Sequence, residues 1–127
     1  MAITQTEAET LHFQHRLWSN ELSFAEDELK IFEHRLEKLV NTLQDRDMLA
    51  KLEHYQNQFI RQKEVLDQLQ HDIKVHEQEI GRMLQNGDEP GDQDTARHLK
   101  MEGEMATFRK IYGELKSNFF KYMAANL

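Results

Sequence analysis

Apolar residues recur along this chain in alternating steps of three and four, in three long runs. The first runs from Ala8 through Leu22, Leu29 and Phe32 to Leu43. The second extends from Leu52 through Phe59, Leu66 and Ile73 to Met83. The third passes from His98 through Met105, Phe108 and Leu115 to Tyr122. This spacing gathers the apolar side chains into one stripe of an α-helix, as in coiled-coil-type packing.

The runs are interrupted twice. Residues 41–47 supply Asn41, Asp45 and Asp47, which favour turns and helix N-caps. Residues 86–92 hold the one Gly/Pro cluster, with Asn86-Gly87 suited to a helix C-cap, Pro90 to a stop, and Asp92 or Asp94 to the next N-cap. The expectation is a single all-α domain over residues 1–127, an up-down-up antiparallel three-helix bundle with helices at about 5–44, 47–86 and 93–125.

Turn positions also set a register. Helices turning near Asp45 place opposite each other residues whose numbers sum to about 91, and the second loop gives about 178. Phe32, Phe59 and Phe119 then form one layer. Gln62 falls between Leu29 and Leu115 as a polar core residue that fixes register. His15 faces His76, and His98 is expected one turn away, beside Leu11 and Ile80.

Composition narrows the function classes. The 127 residues include 5 Gly and 1 Pro, too few turn-formers for a many-stranded fold. The absence of Cys excludes a disulfide partner, a thiol nucleophile and any Cys-ligated metal. A net charge of -7 argues against nucleic-acid binding. No apolar run is long enough to span a membrane, and Met1-Ala2-Ile3-Thr4 is unlike a signal peptide, so a soluble cytoplasmic protein is expected. Phosphate-loop, nucleophile-elbow and zincin motifs are all missing, so catalysis is not expected unless a metal supports it.

The chemistry worth locating lies in the polar residues of the seams. His15, His76 and His98 come from three different helices, and His12 and Glu102 stand close to them in sequence. Imidazoles and carboxylates converging from several helices are how bundles build transition-metal sites, here for Zn or Fe at the end near the loop between helices 2 and 3. The competing reading is structural: a seam His near a bundle end keeps one nitrogen in water or donates to a carboxylate. A weaker alternative is a pH-responsive cluster that charges in mild acid. His34, His54 and His71 fall outside the seams and are expected at the surface.

A second apolar pattern runs beside the seams. Leu17, Phe24 and Ile31 repeat every seven residues on helix 1, with Phe13 preceding them. Leu99, Ala106, Gly113 and Phe120 repeat likewise on helix 3. Either the core is wider than its seam, or these residues form a self-association surface in a homodimer. The leading functional expectation is a non-enzymatic bundle acting by protein–protein association, with metal binding as the alternative. The chain's acidity speaks against membrane docking through these stripes.

Overall fold

The computed structural model describes residues 6–125 and consists of three α-helices: α1 (Glu7–Val40), α2 (Arg46–Asn86) and α3 (Asp92–Ala125). α2 packs closely along both of the others, while α1 and α3 approach each other less closely. The expected three-helix bundle is the fold observed.

Local chemistry explains where each helix begins. Thr6 caps α1 in a reciprocal box: its hydroxyl accepts from the Glu9 N–H at 3.1 Å, and the Glu9 carboxylate accepts from the Thr6 N–H. The Asp45 carboxylate accepts from the backbone N–H groups of Asp47 and Met48. At the head of α3, Asp94 reaches back to accept from the Gly91 N–H at 3.0 Å, so Gly91 is the residue that opens this helix.

Helix ends correct the sequence-based boundaries. α1 stops at Val40, short of the expected residue 44, because the N–H groups of Thr42 and Leu43 both turn back to the Leu39 carbonyl. Its start at Glu7 follows from the Thr6 cap, and the expected residue 5 lies outside the described residues. α2 closes on Gly87, whose φ of 71° is the left-handed conformation glycine adopts without a Cβ clash.

The seams are buried as their spacing implies. Leu22, Phe59, Leu66, Ile80, Met105 and Phe119 are fully enclosed, and Gln62 is buried with them. The Phe32, Phe59 and Phe119 rings form the expected layer, with centroids 5.0–5.5 Å apart. Contacts between His15 and His76 and between Phe59 and Phe119 place both loops in the expected register.

The apolar core is divided in two. The large cluster runs from Tyr122 and Leu39 at one end to Trp18 and Met101 at the other. A small separate cluster of Ala8, Leu11 and Ile80 closes the end near the α2–α3 loop. Between the two lie the buried rings of His15, His76 and His98.

Candidate metal centre

Each helix contributes one ring to this polar layer. His15, His76 and His98 are 1%, 3% and 4% exposed, and each offers a ring nitrogen within 4.8 Å of the others'. The ring centroid of His15 is 5.0 Å from that of His76 and 5.2 Å from that of His98. His98 departs from its expected place beside Leu11 and Ile80. Its ring reaches along α1 to stack on Trp18, with centroids 4.7 Å apart, and bonds the Gln14 side chain. The helix register is unchanged; stacking and the amide contact draw the ring into the His15 layer.

Groups outside the layer hold two of its rings. Glu77 accepts from Nδ1 of His15 at 2.6 Å, and its other oxygen pairs with Nδ1 of His12. His15 therefore presents the lone pair of Nε2 inward. Nε2 of His98 meets the Gln14 side-chain amide. His15 Nε2 and His98 Nδ1 lie 3.3 Å apart. Turning the Gln14 amide over would let His98 donate to His15, and it would do nothing for His76.

Neither ring nitrogen of His76 has a hydrogen-bond partner among the described residues. Asp94 Oδ1 stands 3.9 Å from Nε2, beyond hydrogen-bond reach. A buried polar atom left in this state costs roughly 1–3 kcal/mol, and a folded chain seldom leaves one without a reason.

Burial also fixes the protonation state. Desolvation lowers the pKa values of His15 and His76, and it takes His98 down to about 4, with the neighbouring His15 and His76 rings adding to the effect. Glu77 works in the opposite direction on His15 without overcoming its burial. All three rings are thus neutral near pH 7, the form in which imidazole binds a metal.

One of the three nitrogen separations is that of a small tetrahedral ion's ligands. Zn–N bonds of about 2.0–2.1 Å put neighbouring nitrogens about 3.3 Å apart, the separation found between His15 Nε2 and His98 Nδ1. The Glu77–His15 contact is the carboxylate–imidazole pairing that orients metal-bound histidines. Three imidazoles leave one tetrahedral position for an outside ligand.

The five candidates named from sequence are placed differently. His15, His76 and His98 come together. His12 stands behind them, held by Glu77. Glu102 is exposed on the flank of α3, where its charge acts on Arg109, so neither supplies a fourth ligand atom to the group. Glu77 and Gln14 are the residues sequence reasoning missed. The register that opposes His15 to His76 also brings Glu77 beside both His12 and His15, so that signal was available. His34, His54 and His71 are exposed, as expected.

The second apolar pattern does not enter the core. Leu17, Phe24, Ile31, Leu99 and Phe120 are 46–66% exposed, which removes the wider-core explanation. Ala106 and Gly113 are exposed as well. Both stripes border the α1–α3 seam, one helical turn from the pairs that cross it, Glu21–Arg109 and Glu28–Lys116.

Among the described residues, no helix is long and apolar enough to cross a membrane. In comparison with known proteins, the chain matches no family model, no curated protein and no solved structure.

Proposed function

We propose that this protein binds a divalent transition metal through His15, His76 and His98. The observation that carries the reading is the buried layer of three neutral imidazoles, one from each helix, with His15 Nε2 and His98 Nδ1 3.3 Å apart and the His76 ring without a hydrogen bond among the described residues. Such a layer weakens the core without a cation and completes it with one. Zn²⁺ fits by bond length and tetrahedral preference, and Fe²⁺ shares the ligand chemistry. The Cys-free, acidic composition supports a soluble cytoplasmic setting. Elemental analysis after dialysis against limiting Zn²⁺ tests the reading: one ion per chain is expected, lost in His98→Ala. A chain that retains no zinc, or a variant that retains as much, contradicts it.

Self-association is a second reading, favoured by a different observation. The stripe Leu17, Phe24 and Ile31 is bulky throughout, whereas Leu99, Ala106, Gly113 and Phe120 has small residues at its centre. Every chain carries both shapes, so a second copy can seat one stripe on the other about a two-fold axis. Gly113 costs roughly 1 kcal/mol inside a helix compared with Ala, yet a Cβ there would meet nothing within 4 Å. Among the described residues nothing supplies a packing reason for that glycine, and a close-approaching helix would. Light scattering on the full chain tests this: a dimer is expected, and a strict monomer at high concentration contradicts it.

A further inference from the structure

His76 belongs to two groups of ligand atoms. Besides the three-imidazole group, it lies with Glu79 and Asp94, whose oxygens also fall within 4.8 Å of one another and of a His76 nitrogen. The two carboxylates are partly exposed. A cleft of about 450 Å³ between α2 and α3 has His76, Glu79, Arg97 and Lys100 in its walls, with Asp94 outside them. Two partly exposed carboxylates therefore stand beside the inner group, and the 3%-exposed His76 ring, which lacks a hydrogen bond among the described residues, is common to both.

The two groups suit successive stages of one process. The three inner ligands are neutral and enclosed, so a hydrated dication must shed its water to reach them. Glu79 and Asp94 supply two negative charges and hard oxygen ligands that a still-hydrated ion accepts. In this structure Arg97 Nη1 donates to Glu79 Oε2 at 3.0 Å, and Asp94 Oδ2 accepts from the Gly91 N–H. Asp94 Oδ1 remains turned to His76 at 3.9 Å.

We propose that His76, Glu79 and Asp94 form a loading site for a divalent cation, from which the ion passes to His15, His76 and His98. This rests on the metal-binding reading above. The ion first displaces the Arg97 guanidinium from Glu79 and binds the two carboxylates with His76. It then exchanges oxygen for nitrogen ligands without leaving His76. Arg97 acts as a latch, competing with the incoming cation for Glu79.

The test is the rate of Co²⁺ uptake by the full chain, followed by the visible absorption of tetrahedral cobalt in a stopped-flow instrument. Glu79→Gln/Asp94→Asn keeps the shape of both side chains, and the amide oxygen introduced by Asp94→Asn still accepts from the Gly91 N–H. Association in this variant is expected to slow by about ten-fold or more, while the final cobalt spectrum stays that of the wild type. Arg97→Ala is expected to speed association. The control is Glu37→Gln/Glu53→Gln, the same charge change on exposed residues elsewhere, with a rate close to wild type. Loading-site variants within about two-fold of the wild-type rate, with a normal cobalt spectrum, overturn the loading site alone. A wild-type chain that gives no tetrahedral cobalt spectrum overturns the metal-binding reading along with it.

Discussion

His15 Nε2 and His98 Nδ1, on different helices, face each other across 3.3 Å in the middle of the bundle. Outside the pair, Glu77 takes the proton on the far side of His15, which leaves Nε2 with its lone pair, and the Gln14 amide holds the far side of His98. A cation between these nitrogens is bound by both when each presents its lone pair.

Removing the unpaired ring should therefore strengthen the metal-free protein. His76→Leu replaces two orphaned nitrogens by methyl groups of similar reach, recovering about 1–3 kcal/mol of desolvation. The expected result is a Tm about 4–11 °C above wild type without metal, and no further rise when Zn²⁺ is added. A lower Tm for the variant would show that His76 already has a stabilising partner.

Glu77 should tune affinity without setting stoichiometry. Glu77→Gln retains an acceptor for His15 but loses the charge that makes the imidazole a better donor to the metal. A loss of zinc affinity of about 10–100-fold, still at one ion per chain, is the expected outcome of a chelator-competition titration. An unchanged affinity would place Glu77 outside the site's influence.

Stability should fall in mild acid. Burial holds the folded-state pKa of His98 at about 4 and depresses those of His15 and His76, while in the unfolded chain all three titrate near 6.5. Between these values the unfolded state binds more protons. Stability is thus complete above about pH 6.5 and is lost as pH falls toward 4. A Tm drop of about 5–10 °C between about pH 7 and pH 5 is expected in thermal melts without metal, much reduced in a His15→Gln/His76→Gln/His98→Gln variant. A flat profile for the wild type would contradict the burial of neutral rings.

How much of this is readable in the sequence differs between core and site. The 3,4 spacing depends only on which residues are apolar, so it assigns Leu22, Phe59 and Phe119 to the core, and the turns at Asp45 and Gly87 place them in one register. The same register brings His15 opposite His76. It misplaces His98 by a turn because a flat ring follows its stacking partner, here Trp18, and backbone arithmetic does not record side-chain reach. Glu102 is a candidate only because it follows His98 by one turn. On a flank position that spacing leads into solvent beside Arg109. The apolar period also carries α1 too far, because Thr42 and Leu43 fold back on Leu39, a capping choice that the period does not encode.

Charge on the exposed stripes should abolish self-association while sparing the fold. Phe24 and Phe120 lie on the solvent side of the α1–α3 seam, so Phe24→Glu or Phe120→Glu should give soluble, fully helical monomers by light scattering and circular dichroism. Dimers that survive both changes would move the interface elsewhere.

X-ray absorption at the zinc edge of the loaded full chain tests the central claim most directly. The expected spectrum shows three imidazole nitrogens at about 2.0–2.1 Å, with the outer-shell scattering of their rings, and one further light ligand. A first shell of oxygen without imidazole scattering, or a protein that holds no zinc to measure, would contradict a metal centre built from His15, His76 and His98.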